Sequence, residues 1–301
     1  MKRVLVTGAG GFIGRHAVEA LAARGFEVHA LAAPGEELPV GLTAVRREAD
    51  LLDPVSTAKA VADAAPTHLL HLAWYAVPGK YPSSPINFAF VKASLSLFEA
   101  FAACGGKRAV AAGTCFEYDH SYGFCVENLT PLNPATVYGV CKNSLHMLAR
   151  SFFGQAGVSF GWARLFFLFG PDEKSGRLIS SVAGSLLRNE PALCTHGGQL
   201  RDFMYVKEAG AALAAFLASP VEGPVNVATG QPVSVGALVS RFAEIWGARD
   251  LIRLGAIPAP QNEPSLILAD VKRLHMEVGF RPSLTLDQAL KLTAGWWKGE
   301  R

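Results

Sequence analysis

Three residues have the types and spacing to do chemistry together: Thr114, Tyr138 and Lys142. In Val137-Tyr138-Gly139-Val140-Cys141-Lys142 the tyrosine and the lysine stand four apart, which on a helix puts both on one face. A neighbouring ammonium favours the tyrosinate, so this spacing predicts a Tyr138 pKa drawn down from its usual ~10 toward neutrality. Such a phenol can give a proton to a reacting oxygen or take one from it. The pair alone would also fit an ordinary, partly exposed helix face. Its position after a short strand ending in Gly113-Thr114-Cys115 is what gives it weight. Thr114 at the carboxyl end of that strand would reach the same substrate oxygen.

A second constellation lies at the N-terminus. The apolar run Val4-Leu5-Val6-Thr7 is followed by Gly8-Ala9-Gly10-Gly11-Phe12-Ile13-Gly14 and then by a helix-like pattern over 15–24. Gly8 would allow the tight turn out of the strand, Gly11 the approach of a pyrophosphate, and Gly14 close packing of helix on sheet. The first N–H groups of the helix would point at the phosphates. Phe12, Ile13 and Arg15 belong to the same contact surface. A dinucleotide site is therefore expected.

The second strand, 27–31, bears on which dinucleotide. Strands of this kind that favour NAD end in an acid that bonds the ribose 2′-hydroxyl. Here the end reads Leu31-Ala32-Ala33-Pro34, and Glu36 and Glu37 come only in the loop. That removes a charge that would repel a 2′-phosphate, and Arg15 stands in possible reach of one. The expectation is NADP(H), with NAD(H) the alternative if Glu36 or a backbone group handles the ribose.

These groups need a scaffold, and the first half of the chain alternates strand and helix patterns. A third strand is expected over 43–47. A helix follows over 54–65, with Asp53 as N-cap and Pro54 at its first position. The 67–73 stretch reads as a buried strand, the 87–103 stretch as a long helix, and 108–113 as another strand. Such alternation predicts an α/β fold with a doubly wound parallel sheet and a ligand at the carboxyl ends of its strands. There is no internal repeat and no low-complexity segment.

Composition excludes several function classes. The chain has 301 residues, 50% hydrophobic and 18% charged, enough for a sizeable core. A net charge of +3 without dense Lys/Arg runs gives no support for nucleic-acid binding. Five cysteines, an odd number without metal spacing, fit free thiols in a reducing compartment. No signal-peptide layout precedes the first strand, and the apolar stretches break before the ~20 residues of a membrane span. The protein is expected to be cytoplasmic, with neither metal nor membrane.

Further motifs identify a family resemblance. Asp50-Leu51, His71-Leu72-Ala73, Arg164-Leu165-Phe166-Phe167-Leu168-Phe169-Gly170-Pro171, Arg201-Asp202-Phe203-Met204-Tyr205-Val206 and Asn226-Val227-Ala228-Thr229-Gly230 join the glycine turn and the Thr/Tyr/Lys set. So does Asp270…Leu274…Gly279-Phe280-Arg281-Pro282. Nearly the whole chain resembles the extended short-chain dehydrogenase/reductases of the NAD-dependent epimerase/dehydratase family, in particular those acting on nucleotide-activated sugars. The resemblance implies a Rossmann domain, 1–167 and 204–230, and a smaller nucleotide-sugar-binding domain, 168–203 and 231–301. It implies adenine contacts from Asp50 and Leu51, and further cofactor contacts from Leu72 and Ala73. Thr114, Tyr138 and Lys142 become the catalytic set, with Tyr138 and Lys142 also on the cofactor. Tyr75, Lys80, Cys115, Phe167, Arg177 and Arg201 become substrate contacts, with Arg201 and Arg177 facing a pyrophosphate and the 74–81 loop closing over the sugar. Asp202 is expected to orient Arg201 or cap the helix over 205–218, and His71 to be structural. A homodimer paired through the 87–103 and 138–156 helices is also implied.

Departures from the family pattern narrow the reaction. Sugar 4,6-dehydratases follow the catalytic threonine with Asp-Glu, whereas Thr114 is followed by Cys115-Phe116. Glu117 falls in a different register. Phe167 replaces the usual asparagine, so one expected substrate contact is missing. Cys115 and Cys141 are expected to be buried rather than reactive, since no partner lowers their pKa. The expectation is reduction of the C4 keto group of a nucleotide-linked 4-keto-6-deoxyhexose. The alternatives are a 4-epimerase holding NAD, a C4 dehydrogenase, and a non-enzymatic NADP-sensing module.

Overall fold

Alternation of side chains along the first strand decides the layering of the whole molecule. In the computed structural model, which describes residues 2–300, strand β1 (Arg3–Thr7) sends Val4 and Val6 to one face and Leu5 to the other. That follows from the two-residue period of a strand. Every residue from Val4 to Thr7 is buried, as expected for a central parallel strand covered on both faces.

Helix α1 (Gly14–Ala23) leads to β2 (Glu27–Ala32) and β3 (Val45–Glu48), and α2 (Pro54–Ala64) to β4 (His68–His71). Asp53 caps α2 by accepting from Val55 N at 3.0 Å, with Pro54 in the first turn. β4 ends before the expected 67–73 strand does: Leu72 N still reaches Thr7 O at 3.2 Å, but Ala73 N turns to the Thr7 hydroxyl, also at 3.2 Å. Next come α3 (Ile86–Ala103), β5 (Arg108–Thr114), β6 (Phe124–Cys125), α4 (Val137–Ala156), β7 (Ser159–Leu165) and β8 (Phe167–Phe169). Then follow α5 (Leu178–Leu187), β9 (Ala192–Leu193), β10 (Leu200–Tyr205), α6 (Val206–Ala218) and β11 (Gly223–Val227). The chain ends with β12 (Pro232–Ser234), α7 (Val235–Trp246), β13 (Ile252–Arg253), β14 (Leu266–Ala269) and α8 (Leu286–Lys298).

Seven strands form one parallel sheet in the order β11-β7-β5-β4-β1-β2-β3. Connections run outward from β1 to β2 and β3 on one side and from β4 to β5, β7 and β11 on the other. The reversal lies between β1 and β4, where a crevice opens at the carboxyl ends of the strands. Helices α1 and α6 pack together on the Val4/Val6 face, and α2, α3 and α4 cover the Leu5 face. This is the doubly wound Rossmann arrangement expected from the alternating pattern.

A smaller sheet, β12-β10-β14-β6, has β8 pairing with β10 and packs with α5, α7 and α8 around a separate core. β6 comes from the first half of the chain and joins this sheet through β14. Helix α3, 18 residues long, is long and apolar enough by composition to cross a membrane. It carries Lys92 and Glu99, and it packs with α2 and α4 over the sheet, so it serves as a covering helix.

Candidate active site

The glycine turn needs its glycines for geometric reasons. Gly8 has φ +69°, and a Cβ there would meet Ala73 N at 2.8 Å. A Cβ on Gly14 would lie 2.0 Å from Gly8 O, a distance no side chain can occupy. At Gly11 a Cβ would touch Gly8 O alone, at 3.1 Å, so the turn is open on that side. Helix α1 has neither a side-chain cap nor an acid in its first turn, so although Arg15 N is taken by Gly11 O at 3.3 Å, the positive end of the helix is left for an anion. The turn therefore fits a dinucleotide pyrophosphate on backbone grounds. Phe12, Ile13 and Leu72 line the adjoining cavity, and Ala73 abuts Gly8.

Other expected cofactor contacts are engaged within the protein. Arg15 pairs with Asp172 and also donates to the carbonyls of Gly10 (2.9 Å) and Gly11 (3.4 Å), so its charge is committed away from a 2′-phosphate. The Asp50 carboxylate accepts from Leu52 N at 2.9 Å, and Leu51 packs against the Leu5-side core.

Thr114, Tyr138 and Lys142 converge on a cavity of about 370 Å³ between the two sheets. Thr114 ends β5 and lines the cavity together with Tyr138, and the Thr114 hydroxyl accepts from Phe116 N at 3.3 Å. The Thr136 hydroxyl caps α4 by accepting from Gly139 N at 3.1 Å, which fixes the first turn that carries Tyr138. Lys142, 2% exposed, donates to Ala112 O at 2.8 Å. Its ammonium also sits 3.6 Å from the Trp74 ring centroid, a cation–π contact.

This geometry corrects the expected tyrosine pKa. Desolvation, with the neighbouring Tyr81 phenol, pushes Tyr138 above its ordinary value, although the Thr114 hydroxyl opposes the shift. The Lys142 ammonium faces Ala112 O and Trp74, and burial lowers its own pKa to about 7. Tyr138 thus keeps its proton at neutral pH, the form needed to donate one. The expected tyrosinate requires a lysine turned toward the phenol.

Beneath Thr114 lies a buried polar network whose central acid the sequence reading set aside. Glu117, fully buried, accepts from Thr114 N (2.8 Å), Trp162 Nε1 (3.0 Å) and Arg164 Nε (2.7 Å). Arg164 also donates to the Tyr118 hydroxyl, which donates to Asn226 Oδ1 at 2.8 Å. Glu117 therefore braces the strand that ends in Thr114 and is absent from the cavity lining. His71 is likewise structural, between Thr7 Oγ1 (2.7 Å) and Ser94 Oγ (2.9 Å), with its pKa lowered to about 3 by burial.

The substrate-side expectations fare unevenly. Phe167 and Arg177 line the cavity. Tyr75 and Lys80 do not; from their loop, Trp74 and Tyr81 face the cavity instead. The cause is Asn87, which accepts from Trp74 Nε1 (2.7 Å) and donates to Tyr81 O (2.8 Å) and Ser84 O (2.7 Å). Tyr81 then meets Tyr138 edge-on, ring centroids 4.9 Å apart. Cys115 is buried in an apolar cluster with Cys125 and Phe166 rather than facing the cavity, and burial raises its pKa. Arg201 is 4% exposed and lies outside the cavity lining, paired with Glu263 at 2.7 Å. Asp202 neither orients Arg201 nor caps α6: it accepts from Thr229 N and Gly230 N, both at 2.8 Å, and from the Thr229 hydroxyl at 2.6 Å. Glu173, which sequence reasoning missed, is the one carboxyl among the described cavity-lining residues. Burial raises its pKa to about 7, and it accepts from Ser180 N at 3.0 Å.

Comparison with known proteins agrees with this geometry. The model of the NAD-dependent epimerase/dehydratase family matches residues 4–230. The chain belongs to that family. Among its relatives is dTDP-6-deoxy-L-talose 4-dehydrogenase (NAD(+)) of Aggregatibacter actinomycetemcomitans, 28% identical over 79% of this chain and 88% of that protein. GDP-6-deoxy-D-mannose reductase of Pseudomonas aeruginosa is 28% identical over 99% of this chain and 97% of its own. Among solved structures, MoeE5 in complex with UDP-glucuronic acid and NAD superposes with a TM-score of 0.85 at 32% identity, covering 99% of both chains. Thermus thermophilus UDP-glucose 4-epimerase with NAD gives 0.86 at 26% identity, again over 99% of both chains. Family membership makes this a nucleotide-sugar-modifying enzyme of the extended short-chain dehydrogenase/reductase type.

Proposed function

We propose that the protein reduces the C4 keto group of a nucleotide-linked 4-keto-6-deoxyhexose with a reduced nicotinamide dinucleotide. The observation that carries this reading is the convergence of Tyr138, Thr114 and Lys142 on one cavity, with no carboxyl in the two positions after Thr114. When bound, the nicotinamide supplies the hydride. Tyr138 donates the proton that the developing C4 alkoxide needs, and the Thr114 hydroxyl bonds the same oxygen. Lys142 leaves the Trp74 face to hold the nicotinamide ribose and to favour the tyrosinate left behind. Phe116 lines the cavity where a dehydratase has an acid, and Glu117 is spent on Arg164. The names of the two relatives, a 4-dehydrogenase and a reductase of 6-deoxyhexoses, support oxidation–reduction of this substrate class.

A second reading, 4-epimerisation, draws support from the UDP-glucose 4-epimerase likeness. An epimerase purifies with NAD and turns over without added cofactor, so cofactor behaviour separates the two. The test is a screen of activated 4-keto-6-deoxy sugars with NADH and NADPH, following oxidation of the reduced cofactor, with Tyr138→Phe beside the parent protein. Lost turnover with retained cofactor binding is expected; unchanged reduction by Tyr138→Phe would overturn the mechanism.

A homodimer through α3 and α4 belongs to the same proposal. Exposed Phe88 on α3 and Val140, Met147 and Leu148 on α4 form the apolar surface that supports it. Sedimentation at the mass of one chain would sink it.

A further inference from the structure

We propose that Glu36, reaching back from the loop after β2, replaces the missing strand-end acid and makes the site select NAD(H) over NADP(H). The inference rests on the dinucleotide reading of the glycine turn, and it reverses the cofactor preference expected from Ala32-Ala33.

The loop after β2 turns back at once: Glu36 N donates to Ala33 O at 3.0 Å. The Glu36 side chain then folds onto the strand end, where Oε2 accepts from Ala33 N at 2.9 Å. This bond holds an exposed carboxylate at the end of β2 instead of leaving it to sample solvent. The other oxygen, Oε1, lies 3.2 Å from where a Cβ on Gly10 would stand. The carboxylate therefore lies against the glycine turn, at the carboxyl ends of β1 and β2. In this fold the ribose next to the adenine is read there. A side chain at Gly10 would crowd the carboxylate there.

Two acceptor oxygens suit a ribose diol, whose hydroxyls donate. A 2′-phosphate in the same place would set two negative groups together, while Arg46 and Arg15 are each already paired with an acid. Arg46 donates to Glu36 O and pairs with Glu48 at 2.7 Å. Arg47 donates to His29 Nδ1 at 3.1 Å, and Arg15 pairs with Asp172.

The experiment is calorimetric titration of the intact protein with NAD⁺ and with NADP⁺, repeated for Glu36→Gln and for Glu37→Gln. The glutamine keeps an amide oxygen for Ala33 N, so the loop keeps its shape while the charge goes. The parent protein is expected to bind NAD⁺ about tenfold or more tighter than NADP⁺, the scale of one charge-assisted contact. In Glu36→Gln the ratio should fall to about threefold or less, mainly through tighter NADP⁺ binding. Glu37→Gln should keep the parent ratio. Higher salt should narrow the parent ratio and leave that of Glu36→Gln nearly unchanged. A parent protein that binds NADP⁺ as tightly as NAD⁺ would overturn the proposal, as would a Glu36→Gln variant with the parent ratio. Binding of neither dinucleotide is a different result: it would bring down the dinucleotide reading itself, and this inference with it.

Discussion

The glycine turn and the loops that face it across the cleft are built in opposite ways. The turn closes on itself: Gly11 N donates to Gly8 O at 3.0 Å and Arg15 N to Gly11 O at 3.3 Å. Across the cleft, order comes from side chains far apart in sequence. Asn87 holds Trp74 and the 81–84 backbone, Arg201 reaches Glu263, and Arg15 ties the start of α1 to Asp172. A site built from backbone tolerates no added atoms but needs few partners. A site built from side chains can be retuned by substitution, and each of its members depends on the rest of the fold.

The largest expected effect breaks the local side. Gly14→Ala places a methyl group 2.0 Å from Gly8 O, and the contact cannot relax without moving α1 off the sheet. Denaturant unfolding should show a loss of about 5 kcal/mol or no folded protein at all. A loss below ~1 kcal/mol, the size of an ordinary surface change, would show that the turn is not backbone-determined.

The next strikes the non-local foundation of the strand that ends in Thr114. Glu117→Ala leaves buried Arg164 without its carboxylate and Thr114 N without its acceptor. Breaking such a pair costs about 3–5 kcal/mol, measurable by the same unfolding experiment. A near-neutral result would mean that the network is ornamental and that β5 is held by its ladder alone.

The smallest effect sharpens the comparison at the edge of that foundation. His146 stacks on Trp162, centroids 5.0 Å apart, and neither ring nitrogen has a hydrogen-bond partner. Burial lowers its pKa from 6.5 to about 3. Between these values the unfolded chain takes up a proton that the folded protein refuses, so stability rises with pH across the window and is lost as pH falls. His146→Phe should keep the stack and remove about 2 kcal/mol of the stability lost between pH 7 and pH 5. His71, with a pKa of about 3, and His68, about 4, leave the remainder of the acid sensitivity in place. An unaltered pH profile for His146→Phe would show that this ring titrates freely.

The same contrast explains what could be read from the sequence. The turn, the α2 cap at Asp53 and the Tyr138–Lys142 spacing are local, so residue order reveals them. The doubly wound sheet follows from alternation, because each buried strand and covering helix has its own period. Glu117 was legible only as a register shift from position 116, since its partners Trp162 and Arg164 lie 45 and 47 residues away. Lys80 and Tyr75 have suitable chemistry for a sugar phosphate, yet Asn87 decides which side of their loop faces inward. The direction of the Lys142 ammonium, and with it the Tyr138 pKa, depends on Trp74. No spacing rule links residues 74 and 142.

Trp74 carries one more consequence. It is the sole tryptophan among the cavity-lining residues, and the Lys142 ammonium rests 3.6 Å from its ring centroid, the contact that the proposed hold on a ribose would break. The protein thus contains its own optical probe. Emission from that indole, recorded after rapid mixing with a dinucleotide, should report the lysine's departure before any sugar is present.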